Sequence, residues 1–359
     1  MFNFFQKPAF GLDISDHSVE LVSLGGSLKK PELLAMGRVT LEPGITEDGK
    51  ILQKEKLEIS IRDLIKKPQF GKLRSKRFTL AFPESKSFLY IFTVPEKTKK
   101  RKIKEEVERR AGQNFPFPLA DLYLGWRTQG SEILSVAIQK DTVSEYISLF
   151  KKLKIQPIAL EIESLSLGRA LIEDRKGVTL IADIGARTTN FSIFDDGDLS
   201  LSITVKVGGN QFTRVISEKL NISFSEAEEL KKKTGLNPEE KGGKVFLILQ
   251  KEIQMIISEI NKINDYFSGK EQKSINNIIL AGGSAPLVNL SDYLSDNLGI
   301  KVTVGDPWGK INIDILKKKE YLKEALKVNP LLYTTVIGSA LRGLTRNPSR
   351  GEINLLPKK

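Results

Sequence analysis

"LIADIGARTTNFSI", residues 180–193, reads as two apolar arms joined by a turn of small and polar residues. The first arm ends on Asp183-Ile184, the turn is Gly185-Ala186-Arg187-Thr188, and β-favouring residues resume after it. A tight turn of this kind aims consecutive backbone N–H groups at one point, which makes a nest for phosphate oxygens. A carboxylate at the strand end can hold the hydrated Mg²⁺ that accompanies a polyphosphate, because Mg²⁺ keeps several waters and takes only one or two carboxylates. A single Asp at a strand end would be ordinary turn chemistry.

The same design occurs earlier in the chain. "FGLDISDHSVELV", residues 10–22, lies in register with the later stretch: Asp13 falls on Asp183, Ile14 on Ile184, Ser15 on Gly185 and Ser18 on Thr188. Asp16 and His17 complete the earlier turn. Two matching hairpins, one in each half, lead to the expectation of a clamp that grips one Mg²⁺-triphosphate from both sides. A third stretch, "NNIILAGGSAPLVNLSDYLSDNLG", runs a strand into Gly282, Gly283 and Ser284 and then into a helix. Glycines there allow a ligand close to the backbone, and the helix N-terminus favours anions.

With no cysteine and one histidine, the chain excludes thiolate metal sites, Cys-His catalysis and disulfides. The cytoplasm is the expected compartment. No apolar run approaches the ~20 residues that span a bilayer, and "MFNFFQKPAF" reaches Pro8 too soon for a secretory signal. The net charge is +12, concentrated in clusters such as "EKTKKRKIK", "LRSKR" and "ILKKKE". Such clusters are most simply solvated faces; an anionic membrane surface is a further reading. Aromatics are not interleaved with them as a single-strand platform requires, so no nucleic-acid partner is expected.

Taken together, the three elements resemble the actin-like ATPase superfamily. "IADIGARTTNFSIFDDGDLSLSITVKVGGNQFTRVI" resembles one branch more closely, the PilM family of type IV pilus assembly, related to FtsA. "SFSEAEELKKKTG" is similar to that family's "AE-x-x-K" helix, "KIKEEVERRAGQNFPFPLADLYLGW" to the subdomain that PilM and FtsA share, and "TTVIGSALRGL" to the closing helix. The resemblance implies an actin-like (ribonuclease H-like) α/β fold of two duplicated lobes with an inserted α+β subdomain. It implies ATP and Mg²⁺ as cofactors. Asp13, Ser15, Asp16, His17 and Ser18 would form one phosphate loop, and Asp183, Gly185, Ala186, Arg187 and Thr188 the other, with both aspartates organising the metal. Gly208 and Gly209 of the "GGN" element would join them. Gly282, Gly283 and Ser284 would line the adenosine side, with Glu228 and Lys231 near ribose and base. Glu163 matches the carboxylate that orients attacking water, and equally a helix-start carboxylate.

The first turn departs from the family pattern. Ser15 replaces a glycine, Asp16 adds a negative charge, and Glu20 stands where a lysine is usual. Extra carboxylates repel a triphosphate unless a cation compensates, so weakened binding or lost hydrolysis is expected. The expected map places the first lobe at 1–83 and 157–178 and the insertion at 84–156. The second lobe then runs 179–344 with a helical inset at 223–273, and the tail is 345–359. An apolar stripe in "VFLILQKEIQMIISEINKINDYF" reads as core packing, with a partner-facing helix as the alternative.

The tail carries "INLLP", Ile353, Asn354, Leu355, Leu356 and Pro357. PilM-family proteins bind a peptide close to this string on PilN, their bitopic membrane partner. The resemblance therefore suggests an extended segment that occupies a peptide groove between the first lobe and the insertion, in its own molecule or in the next, with Ile353 and Leu355 pointing one way and Asn354 and Leu356 the other; the alternative is a final strand packed on its own lobe. It also suggests a peripheral location on the inner face of the membrane. An FtsA-like division protein would instead call for a C-terminal amphipathic helix, and a small-molecule kinase for a substrate base that cannot be assigned here.

Overall fold

The computed structural model describes residues 8–95, 97–345, 347–348 and 352–357. The first elements are β1 (Phe10–Ile14), β2 (Ser18–Ser27), β3 (Lys30–Thr40), the short pair β4 (Thr46–Glu47) and β5 (Lys50–Ile51), and α1 (Lys54–Lys66). Next come β6 (Phe70–Gly71), β7 (Arg77–Phe82), β8 (Ser87–Thr93), α2 (Lys100–Asn114), β9 (Leu122–Gln129) and β10 (Glu132–Gln139). They are followed by α3 (Lys140–Lys152), β11 (Gln156–Ile162), α4 (Glu163–Leu171), β12 (Val178–Ile184), β13 (Thr189–Asp195) and β14 (Asp198–Val205). The remainder is α5 (Gly209–Leu220), α6 (Phe224–Thr234), α7 (Lys244–Glu271), β15 (Asn277–Ala281), α8 (Leu290–Leu298), β16 (Lys301–Val304), α9 (Leu322–Ala325) and α10 (Thr334–Gly343). Two compact units result: residues 1–170 with 307–359, and residues 171–306.

The six-stranded sheet of the first unit has the order β11-β7-β1-β2-β3-β6, and the five-stranded sheet of the second has β14-β13-β12-β15-β16. Read from opposite ends these coincide over five strands, with β6 the extra strand of the first sheet. Each has a central strand (β1, β12) with an antiparallel hairpin partner (β2, β13) on one side and a parallel neighbour (β7, β15) on the other. The duplication reaches single residues. Asp13 faces Glu20 across the first hairpin and Asp183 faces Asn190 across the second. Each copy also shifts register at an equivalent point, between Ser23 and Leu24 in β2 and between Ile193 and Phe194 in β13. Such a bulge sharpens the strand's twist.

Two boundaries differ from the sequence expectation. Segment 307–344 was expected in the second lobe, yet it belongs to the first unit. The reason is α10, whose small residues let backbones touch. A Cβ on Gly11 of β1 would overlap the Val336 carbonyl, and one on Gly338 would overlap the Ser166 carbonyl of α4. Thr79 of β7 then donates its hydroxyl to the Ser339 carbonyl at 2.6 Å. Helix α3, expected in the insertion, packs on the six-stranded sheet: Phe150 stands edge-on to Phe78 at 4.7 Å and Tyr146 edge-on to Phe82 at 5.1 Å. What remains of the insertion is the sheet β8-β10-β9 with α2 on it, sealed by Phe92, Ile103, Val107 and Ile133.

In the second unit α7 buries Leu249, Ile253, Ile256, Ile260, Ile263 and Phe267, one helical stripe, so the core-packing reading holds for that face. Helix α6 begins at a capping box in which Ser223 and Glu226 satisfy each other's backbone N–H.

Candidate functional site

In the second unit three loops are bolted together around the turn after β12. Gly185 N–H bonds the Thr188 carbonyl at 2.9 Å, closing that turn. Its own carbonyl accepts from Gly209 N–H at 2.9 Å, and Ala186 O accepts from Asn210 N–H at 2.8 Å, so the start of α5 is tied to the turn. Ser284 N–H bonds Ile184 O at 3.1 Å, which adds the loop after β15. Only glycine fits this approach. A Cβ on Gly208 would stand 2.8 Å from the Gly185 oxygen, one on Gly209 would overlap Ser284 Oγ, and one on Gly282 (φ +82°) would overlap Asp183 Oδ1. Asp183, Gly185, Ala186, Gly208, Gly209, Gly282 and Ser284 are thereby brought together. Arg187, Thr188 and Gly283 are exposed at the rim.

Glu228 and Lys231 project from α6 to the same place. The buried Lys231 ammonium donates to Gly209 O at 2.9 Å and Thr213 Oγ1 at 2.8 Å, and pairs with Glu228 at 2.7 Å. Burial pushes the Lys231 amine down; burial also acts upward on Glu228, but bonds from Lys231 and Thr213 hold its carboxyl below the usual range. Lys231 is therefore a post that fixes the glycine pair. Thr213, which also donates to Glu228, is a member that sequence reading missed. Burial pushes Asp183 up to about 6.

The first-unit turn is built differently. Ser15 does not need a left-handed backbone: its hydroxyl accepts from Ser18 N–H at 3.1 Å and His17 N–H at 3.3 Å, while Ser15 N–H bonds Ser18 O at 2.9 Å. The serine in the glycine position thus takes up amides that a nest would offer to phosphate. Asp13 is buried, Asp16 half-buried and His17 exposed. Glu20 lies inward, 2.7 Å from Arg38 Nε, whose Nη2 donates to Ser18 Oγ at 3.0 Å. Burial pushes the Glu20 carboxyl up to about 7, with Ser18 and Arg38 acting against it. The extra negative charge expected at Glu20 is thereby countered by a cation from β3.

Glu163 opens α4 in its first turn. Two residues earlier stands Glu161, fully buried and not anticipated from sequence. It receives both terminal nitrogens of Arg169 (2.8 and 2.9 Å), Arg342 Nη1 at 2.6 Å and Ser166 Oγ at 2.8 Å. Burial would raise its pKa, but the Arg169 and Arg342 guanidiniums hold it at about 2.

The tail lies against the first unit. Ile353 and Leu355 are buried, Asn354, Leu356 and Pro357 half-buried, so side chains alternate as in extended chain. Leu355 N–H bonds Leu160 O at 2.9 Å on β11, an edge strand. Asn354 adds a side-chain amide: Oδ1 accepts from Leu160 N–H at 3.0 Å and Nδ2 donates to Ile158 O at 3.3 Å. On the other flank, a Cβ on Gly125 of β9 would meet Ile353 Cγ2 at 2.9 Å and Leu355 Cδ2 at 3.3 Å. Glu352 pairs with Arg127 of β9 at 3.0 Å.

The sequence model described as "Type IV pilus assembly protein PilM" matches residues 11–344. A chain of the solved "PilM-PilN type IV pilus biogenesis complex" is 21% identical and superposes with a TM-score of 0.77, covering 94% of this chain and 99% of that one. MreB5 of Spiroplasma citri, solved bound to AMPPNP, gives a TM-score of 0.54 at 14% identity, covering 94% of this chain and 96% of that one. The cell division protein FtsA of Bacillus subtilis (strain 168) is 37% identical over 81 residues, 23% of this chain and 17% of that protein. The solved structures establish an actin-like two-lobe fold, and the match across 11–344 assigns the family: the chain belongs to the type IV pilus assembly protein PilM family.

Proposed function

We propose that this protein is a nucleotide-responsive scaffold that binds an "INLLP"-type peptide of a PilN-like bitopic membrane protein, in a type IV pilus or related secretion assembly. The observation that carries the reading is the seat of its own Ile353–Pro357 between the β11 edge and Gly125 of β9. A surface that satisfies that peptide's backbone, amide and apolar side chains can satisfy the same chemistry offered by a partner. The tail then competes with the partner's peptide, from its own molecule or from a neighbouring copy. No helix among the described residues is long and apolar enough to cross a membrane. In this reading the partner supplies attachment to the inner membrane face, with basic clusters such as the start of α2 facing anionic lipid.

Nucleotide is proposed as ATP with Mg²⁺. The second-unit loops fit such a group. Their glycines let three loop backbones meet closely beside the half-buried Asp183 carboxylate. No cluster of three or more His, Asp or Glu that could hold a metal occurs among the described residues. Mg²⁺ takes only one or two carboxylates and its remaining ligands from phosphate and water. Asp183 and Asp13 would orient metal-bound water, Gly185–Thr188 and the first-unit turn would bind phosphate, Gly282–Ser284 would face adenosine, and Glu163 would orient water if hydrolysis occurs. When bound, the Mg²⁺-nucleotide supplies charge and shape that favour one conformation over another, which requires unequal affinity for the two.

The test is a labelled "INLLP" peptide titrated against the full chain and against a chain ending at Arg350. Tighter binding to the shorter chain supports competition, and equal affinity removes it. Titrating Mg-ATP against the wild type and Asp183→Ala checks the cofactor: unchanged affinity takes Asp183 out of its role.

A further inference from the structure

The two hairpins match in topology and differ in one electrostatic respect. In the second unit the residue beside the acidic strand end is neutral: Asn190 faces Thr204 on β14 and bonds its hydroxyl and that of Ser202, both at 3.1 Å. In the first unit the equivalent pair is charged, Glu20 facing Arg38 on β3. Glu20 is 3% exposed. Its carboxylate holds Arg38 Nε at 2.7 Å, which fixes the guanidinium plane and leaves Nη2 directed at Ser18 Oγ, 3.0 Å away. Ser18 Oγ in turn lies 3.2 Å from Ser15 Oγ. The guanidinium therefore ends on the hydroxyl pair at the mouth of the turn, and the Arg38 side chain is 26% exposed there.

This placement matters because Ser15 Oγ already engages the His17 and Ser18 amides. A turn short of amide donors needs another donor of positive charge to hold a phosphate oxygen, and a fixed guanidinium supplies one with directional N–H groups. We propose that Arg38 is a phosphate-binding residue of the first-unit turn, oriented by Glu20 and reaching the anion beside Ser18. The ligand chemistry is a polyphosphate ester. The assignment rests on the nucleotide reading above. It adds a residue on β3 to that reading and explains how a turn carrying Ser15 and Asp16 can accept an anion.

The experiment is a titration of Mg-ATP, and of AMP for comparison, against the full chain. Arg38→Gln alone would strand the Glu20 carboxylate, so Glu20→Gln/Arg38→Gln removes both partners without leaving a buried charge, and thermal melting confirms that each variant is folded. The expected result is a loss of ten-fold or more in ATP affinity for the double variant, with AMP affinity changed by less than three-fold. Glu20→Gln alone, which loosens the guanidinium but leaves it in place, lowers ATP affinity by less than the double variant does. Glu20→Lys/Arg38→Gln, which moves the cation one strand over, recovers most of the loss. A folded Glu20→Gln/Arg38→Gln protein with wild-type ATP affinity overturns the assignment while leaving the nucleotide reading standing. Absence of binding by the wild-type chain overturns both.

Discussion

Asn354 treats Leu160 as a strand neighbour would, through its side chain: its Oδ1 accepts the Leu160 N–H at 3.0 Å while the next residue's N–H bonds the Leu160 carbonyl at 2.9 Å. One side-chain amide and one backbone amide thus complete the β11 edge at a bulge, where the register of β11 on β7 shifts between Pro157 and Ala159. An aspartate there could not donate to Ile158 O, and a leucine could do neither.

Asn354→Ala removes both side-chain hydrogen bonds to β11 and the Leu356 N–H bond to Oδ1, and is expected to cost about 1–3 kcal/mol of tail docking, since each net bond contributes roughly 1 kcal/mol. Hydrogen exchange reads this directly. The Leu160 and Leu355 amides lose protection together in the variant, whereas amides of β1 and β12 do not change. Unaltered protection at Leu160 would mean that the tail is held by Ile353 and Leu355 alone.

Glu161 balances two guanidiniums, and Arg342 is itself fully buried. Glu161→Ala leaves Arg342 and Arg169 without their shared anion, and the expected loss is about 3–5 kcal/mol, the usual result of breaking one side of a buried pair. Arg342 also donates Nε to Pro348 O at 2.9 Å, so the path into the tail loosens as well. Urea denaturation measures the first effect. A loss under 1 kcal/mol would show that water reaches the cluster.

Gly338→Ala adds one methyl group where α10 meets α4 at the Ser166 carbonyl. Backbone cannot yield as a side-chain tip can, so a loss of at least about 2 kcal/mol is expected, in the range for overpacked cores. The same change at Gly112, where the nearest atom is Leu119 Cδ1 at 3.7 Å, should be neutral or slightly stabilising as a helix interior position. Thermal melts of the two variants side by side make the comparison.

Asp183 has a folded-state pKa of about 6, raised by burial above the usual carboxylate value. Between roughly pH 4 and 6 the folded chain therefore binds a proton that the unfolded chain releases, and stability falls as pH rises through that window. Asp183→Asn should flatten this part of the pH–stability curve. Because Mg²⁺ needs the ionised carboxylate, Mg-ATP should raise the melting temperature more at pH 7.5 than at pH 5. An equal shift at both would separate the metal from Asp183.

The sequence by itself determined what is local. Strand alternation marked both hairpins and their 13–183 correspondence, glycine spacing marked the loops, and helical periodicity marked the α7 stripe. Even the alternating faces of Ile353–Leu356 followed from extended geometry. Tertiary structure decided the pairings. Counting outward from the Ser27/Lys30 end of the β2–β3 hairpin would set Glu20 against Gly37; the shift between Ser23 and Leu24 moves it to Arg38. Glu161 and Arg342 are 181 residues apart, and Leu160 and Asn354 are 194 apart. Helix α10 joined the first unit because Gly11 and Gly338 admit its backbone. Periodicity fixes which face of an element is buried. Register, and the choice of what covers that face, depend on bulges and on close packing between segments that only the folded chain brings together.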